Sequence, residues 1–191
     1  MSVYCTFCGS KNHTSIMCEI ENKMAPYFKK EVGIKMEEYV TKNISCQKCF
    51  KNSLKALKDY SPSLDIVCKS CGAKYEVKSK CLSVKTLPKD IFCNGGNYIE
   101  FKKNIDNGLN LFILLYGVNR EKKEIFIRNI YYVPNNQLVE EKIIEIAKKN
   151  KSTLSTIKIF DREFLKSINI EEKLLSFKDL YNNLIKSITL L

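Results

Sequence analysis

Seven of the nine cysteines in this 191-residue chain fall into two groups spaced for metal binding, and that spacing constrains the fold more than any other feature. The first group is Cys5, Cys8 and Cys18 together with His13; the second is Cys46, Cys49, Cys68 and Cys71. Two cysteines separated by two residues clasp one ion across a tight turn. Zn²⁺ takes four such ligands in a tetrahedron, because thiolate and imidazole suit its borderline softness. His13 is the only histidine of the chain, and it sits inside the first group. Two sets of four ligands therefore predict two structural zinc ions. Cysteines committed to metal rather than to disulfides point to a reducing, intracellular compartment. Cys81 and Cys93 are left over and read as buried free thiols.

A hydrophobic fraction of 45% can supply a real core, which excludes a disordered polyelectrolyte. The formal charge is +11, from 32 Lys and Arg against 21 Asp and Glu. Seven bound thiolates remove seven charges and two Zn²⁺ return four, so the loaded protein still carries +8. A basic surface of this kind favours nucleic acid or an anionic membrane. The longest apolar run, residues 111–115, is far too short to span a bilayer. The N-terminus runs straight into Cys5 without the charged start and apolar stretch of a secretory signal. No membrane partner is expected.

Along the chain, helical spacing of Phe28, Val32, Met36, Tyr39 and Val40 predicts a helix over 19–43, with Pro26 in its first turn. Residues 64–67 and 73–79 read as strands flanking the turn of Cys68 and Cys71. Asn94-Gly95-Gly96 reads as a break, followed by a helix over 97–105 that stops at Asn107-Gly108. Residues 109–118 and 124–133 are the clearest strands and predict an antiparallel hairpin. A helix over 139–149, a short strand over 156–160, Asp161 as an N-cap and an amphipathic helix over 171–191 complete the expected elements.

The first metal group, C-x2-C-x4-H-x4-C, resembles the CCHC zinc knuckle of retroviral nucleocapsid and related proteins over about the first 18 residues. Knuckles of that family bind single-stranded RNA or DNA by stacking bases on an exposed aromatic. The resemblance gives that role here to Phe7, with Tyr4 or Met17 as alternatives.

The second metal group surrounds a different kind of chemistry. Asp65 precedes Cys68, and Glu76-Val77-Lys78 follows Cys71. If the two flanking strands pair, Asp65 and Glu76 approach each other, and the zinc turn sits at the hairpin tip. Glu76 and Lys78 lie two apart on one strand and so share a face, while Val77 points into the core. Two converging carboxylates can hold Mg²⁺, and an ammonium beside them can position a water, which is the equipment for phosphodiester hydrolysis.

Asp, ten residues, then Glu-x-Lys is the pattern of the PD-(D/E)XK nuclease superfamily. The nesting of Cys46 and Cys49, Asp65, Cys68 and Cys71, and Glu76 and Lys78 is similar to the catalytic domain of the DpnI-type restriction endonucleases. The resemblance runs from about Val32 to Leu138. It implies Mg²⁺-dependent cleavage of duplex DNA, directed to adenine-methylated sites, with Asp65 and Glu76 binding magnesium and Lys78 positioning water. Glu31, Glu37 and Glu38 lie on the helix that adds a further acidic ligand in this superfamily, and helical angles do not choose among them. Lys80, Lys102 and Lys103 are candidate phosphate contacts, with Lys85 as a fourth. The chain departs from the family in three respects. Pro62 stands three residues before Asp65 rather than next to it, an N-terminal knuckle is added, and the roughly fifty residues after Leu138 leave no room for the family's winged-helix domain.

Together these readings predict an α/β nuclease fold with a mixed central sheet flanked by helices and an embedded four-cysteine zinc site. A knuckle over residues 1–20 would precede a nuclease domain over 21–191. The rival readings are a non-catalytic zinc protein that binds nucleic acid and an RNA-directed nuclease.

Overall fold

Residues 109–115 are apolar apart from Asn110, and such a run asks for a strand covered on both faces. The computed structural model of the protein provides that setting. It describes residues 19–57, 64–81, 90–119, 124–140, 144–148, 154–159 and 165–168. Strand β5 (Leu109–Asn119) runs parallel to β3 (Lys74–Cys81) and antiparallel to β6 (Glu124–Val133). Two short strands, β1 (Leu54–Ala56) and β2 (Ile66–Cys68), extend the sheet beyond β3, and β9 (Lys166–Ile168) closes it beside β6. The order is β1-β2-β3-β5-β6-β9, with β3 and β5 as the parallel pair.

Helix α1 (Glu19–Asn43) lies across one face of this sheet. Its residues Val32, Met36, Tyr39 and Val40 pack on Tyr75 and Val77 of β3 and on Phe112, Leu114 and Tyr116 of β5. Full burial of each such side chain contributes roughly 1.5–3 kcal/mol. The alternate residues of β5, Leu111, Ile113 and Leu115, face a second core. That core is roofed by an antiparallel sheet of β4 (Ile91–Asn97), β8 (Leu154–Ile159) and β7 (Ile144–Lys148), ordered β4-β8-β7. Phe101 and Ile105 of α2 (Tyr98–Asp106) and Leu138 of α3 (Asn135–Glu140) complete it. No helix among the described residues is long and apolar enough to cross a membrane.

The fold is mixed α/β, as the sequence predicts, but sheet dominates it. The expectation of a sheet flanked by helices is corrected on one side, where a second sheet takes the place of the helical layer. Of the expected helix over 139–149, residues 144–148 are strand β7 and residues 139–140 end α3. Ile144 and Ile146 are buried and Glu145 exposed, a two-residue period that β-branched side chains support. Asn94-Gly95-Gly96 lies within β4 rather than ending an element, and the break it predicts survives only as a shift in the pairing with β8 between Asn94 and Asn97. A Cβ at Gly95 would lie 1.8 Å from Ser155 Oγ, so the glycine admits β8 at close approach. Strands β1 and β9 have too few residues for a legible pattern. The first metal group with Phe7, the Asp161 cap and the expected helix over 171–191 lie outside the described residues.

Asn110, the one polar residue in the apolar run, is fully used. Its Nδ2 donates to the carbonyls of Lys74 (3.0 Å) and Gly108 (3.2 Å). Its Oδ1 accepts from Tyr132 Oη (3.0 Å) and the Asn135 N–H (3.1 Å). The start of β3 is thereby locked to the start of β5, which fixes the register of the strand carrying Glu76 and Lys78.

Candidate active site and four-cysteine cluster

The second metal group converges. Cys46 and Cys49 lie in the loop after α1, Cys68 ends β2, and Cys71 sits in the turn to β3. Their four sulfurs all lie within 4.8 Å of one another. Cys46 Sγ is 3.6 Å from Cys71 Sγ, and Cys49 Sγ is 3.6 Å from Cys68 Sγ. A disulfide needs about 2.05 Å, whereas a tetrahedron with Zn–S near 2.3 Å has an edge of roughly 3.8 Å. The cluster therefore fits a zinc ion and not a pair of disulfides. Tyr75 Oη and Ser53 Oγ, each 3.0 Å from a cluster sulfur (Cys46 and Cys68), brace it from the core side.

Each pair of cysteines closes the same turn. The Phe50 N–H donates to the Cys46 carbonyl at 2.8 Å, and the Gly72 N–H donates to the Cys68 carbonyl at 2.9 Å. Phe50 and Gly72 each follow the second cysteine, and both have positive φ, 58° and 71°.

Beyond this tip the β2–β3 hairpin brings Asp65 and Glu76 together, as the sequence predicts. Ile66 pairs with Tyr75 and Val67 with Lys74, and the Asp65 N–H donates to the Tyr75 carbonyl at 3.1 Å. β2 then stops while β3 continues, so the outer edge of β3 is not paired by β2 at Val77. Asp65 Oδ2 takes the place of a strand carbonyl there and accepts the Val77 N–H at 2.7 Å. Glu76 and Lys78 share a face and form an ion pair through Glu76 Oε1. Val77 packs in the α1 core.

Glu76 is 2% exposed, and its Oε2 accepts no hydrogen bond from any described residue. Burial, with Asp65 adding to it against the pull of Lys78, pushes the Glu76 carboxyl up to about 7. Burial also pushes Asp65 up, against the Val77 N–H and Lys78. Burial pulls Lys78 down, but Glu76 and Asp65 more than offset this, so the ammonium is held above its ordinary value.

A third carboxylate, which spacing alone does not single out, joins the group from α1. Glu37 is pushed up to about 7 by burial and then by Asp65, and Lys78 opposes that shift. Glu37 therefore feels the charges of Asp65 and Lys78 from α1. Glu38 instead pairs with Lys35 at 3.1 Å, and Glu31 is exposed. Asp65 and Glu76 thus face one ammonium, with the charge of Glu37 felt from α1, a surplus of negative charge that a divalent cation would neutralise. The donor set is hard oxygen, distinct from the soft sulfur set at the hairpin tip.

Of the other expected site residues, Lys80 lies two residues beyond Lys78 and is exposed; its charge reaches Cys93. Lys102 is half-buried and Lys103 exposed on α2, which packs on β4, β5, β8 and α3. Cys93 is buried as expected, its thiol pushed up to about 11 by burial with Lys80 and Lys78 opposing. Cys81 is exposed, contrary to the expectation of two interior thiols. It stands at the far end of β3.

No curated protein matches the chain in sequence. A family model described as the Dam-replacing family, DpnI, matches residues 17–160. That span is well over half of the chain and contains both the cysteine cluster and the carboxylate group, so the protein belongs to the DpnI (Dam-replacing) family.

Proposed function

We propose that the protein is a metal-dependent, restriction-enzyme-like endonuclease that hydrolyses DNA phosphodiester bonds. The observation that carries this reading is Glu76 Oε2, buried with no hydrogen-bond partner among the described residues, beside Asp65 and Lys78. An acceptor left so is costly unless something positive meets it. Asp65, Glu76 and Glu37 would hold Mg²⁺. When bound, the ion would stabilise charge on the phosphate and lower the pKa of the attacking water.

The chain's own residues have distinct tasks in this reading. Lys78, kept charged by Glu76 and Asp65, positions the water and donates toward the phosphate. The Asp65–Val77 bond fixes the carboxylate relative to β3, so that ligand geometry is set by the backbone. The four-cysteine cluster holds a structural zinc that ties the β2–β3 hairpin to the loop after α1. Membership of the DpnI family and the Asp, Glu-x-Lys spacing support a PD-(D/E)XK assignment for residues 21–191 and adenine-methylated DNA as the target. Residues 1–20 would form a zinc knuckle on Cys5, Cys8, His13 and Cys18 that takes single-stranded DNA or RNA, with Phe7 as its stacking ring. Lys80, Lys102 and Lys103 are assigned to phosphates of the duplex.

The test is to incubate zinc-replete protein with Mg²⁺ and with methylated or unmethylated plasmid, single-stranded DNA and RNA. Cutting of duplex DNA that disappears in Asp65→Ala, Glu76→Ala and Lys78→Ala, with zinc content intact, is the expected result. Failure to cut any of the substrates would leave a zinc protein that binds nucleic acid without catalysis.

A further inference from the structure

We propose that Phe50, on the first turn of the cysteine cluster, is a wedge that stacks against the bases of duplex DNA lying along the β2–β3 hairpin. The proposal rests on the DNA-directed reading of the carboxylate site.

The two cysteine turns are geometrically equivalent, and their difference is informative. At the position after the second cysteine, one turn has Gly72 and the other has Phe50, both left-handed. Glycine adopts that conformation freely, whereas a bulky L-residue brings its Cβ against the following carbonyl. A strained backbone is normally tolerated where the side chain gains by packing. Phe50 gains nothing of the kind, because it is 73% exposed, the most exposed of the large hydrophobic residues described. The turn requires the left-handed backbone, as Gly72 shows in the other pair, but not the aromatic; a solvent-facing ring kept there at the cost of strain points to a ligand.

The surroundings say which ligand. Lys48, Lys51, Lys55 and Lys69 are exposed on the same cysteine-bound unit. No carboxylate occurs among residues 42–57 or 66–74. A ring amid lysines, with no acidic residue to repel phosphate, suits a nucleic acid: lysines take the backbone and the ring takes a base step. Position favours a duplex at the carboxylate site over an anionic lipid surface. Asp65 and Cys68 are three residues apart on the β2 segment, about 10 Å of strand. That equals roughly three base-pair steps of 3.4 Å, so a phosphate at Asp65 would bring the neighbouring steps to the zinc turn.

The experiment uses the full zinc-replete chain in Ca²⁺, so that the duplex stays uncut. Affinity is read by anisotropy, base unstacking by the fluorescence of an aminopurine-substituted duplex, and fold by Tm and zinc content. Phe50→Gly should keep its zinc and melt no lower than wild type, because the strain is relieved. It should nevertheless bind duplex about tenfold more weakly and lose the fluorescence rise, while Phe50→Trp retains both. Unchanged affinity and fluorescence in Phe50→Gly, with a wild type that cuts DNA, would overturn the wedge and leave the nuclease reading standing. A wild type that neither binds nor cuts DNA would overturn both. A lower Tm or lost zinc in Phe50→Gly would overturn the wedge by showing that the ring serves the fold. Phe50-dependent binding to anionic vesicles, with no such dependence on DNA, would overturn it in favour of a lipid surface.

Discussion

Asp65 Oδ2 accepts the Val77 N–H at 2.7 Å, so one carboxylate both completes the sheet where β2 has ended and stands beside Glu76. The two roles separate by substitution. Asp65→Asn keeps an oxygen for the Val77 N–H and should fold with near-normal Tm. Asp65→Ala leaves a half-buried donor unpaired, at a cost of about 1–3 kcal/mol. Both should lower cleavage by on the order of a hundredfold or more, since both lose the charged oxygen. Melting curves beside plasmid-cutting rates check this. Equal activity in Asp65→Asn and wild type would make Asp65 a purely structural residue.

Much of this site was legible because its parts are local. Cys68 and Cys71, Asp65 and the Glu76-Val77-Lys78 run fall within one hairpin, where a two-residue period and a single tight turn fix relative positions, and ligand spacing ties Cys46 and Cys49 to it. Glu37 was not legible, because its neighbours Glu31 and Glu38 share its chemistry. Only the way α1 crosses the sheet brings one of the three to Asp65. The second sheet failed for a related reason. Ile144-Glu145-Ile146-Ala147-Lys148 mixes good helix formers with β-branched isoleucines, so local preference does not decide, and its pairing with β8 does. Gly95 reads as part of a break because its purpose, room for Ser155, lies 60 residues away in sequence.

Glu37 is expected to strengthen metal binding rather than fold. Glu37→Gln should raise the Mg²⁺ concentration needed for half-maximal cutting by about tenfold, with little change in Tm. Glu38→Gln and Glu31→Gln should leave the Mg²⁺ requirement where it is, because Glu38 pairs with Lys35 on the helix surface and Glu31 is exposed. Cleavage measured across a Mg²⁺ titration distinguishes them, and a wild-type titration for Glu37→Gln would remove it from the site.

The cysteine groups should come apart in the same way. Cys46→Ser or Cys68→Ser breaks the cluster that joins the loop after α1 to the hairpin, and should unfold the central domain with loss of its zinc. Cys5→Ser should lower zinc content from two ions to one and leave the central domain folded. Metal analysis with circular dichroism checks both, and one zinc in the wild type would remove the knuckle.

The carboxylate group should also give the protein a pH dependence that Mg²⁺ reverses. In the metal-free site, burial and the neighbouring Asp65 push Glu76 and Glu37 up to about 7, from an ordinary value of 4.5. A carboxyl whose pKa is higher in the folded than in the unfolded state binds its proton more tightly when folded. Its stabilising contribution is therefore complete below pH 4.5 and is lost as the pH rises through 7. Zinc-replete protein without Mg²⁺ should accordingly melt at a lower temperature at pH 8 than at pH 5. Glu76→Gln should flatten that slope, because its amide has no proton to lose, and comparison with it removes the background from the basic surface. Added Mg²⁺ should raise Tm strongly at pH 8 and weakly at pH 5, where protons compete for the same oxygens. Melting temperatures across this pH range, with and without Mg²⁺, decide the matter. A Mg²⁺ effect of equal size at both pH values would place the ion somewhere other than on Glu37 and Glu76.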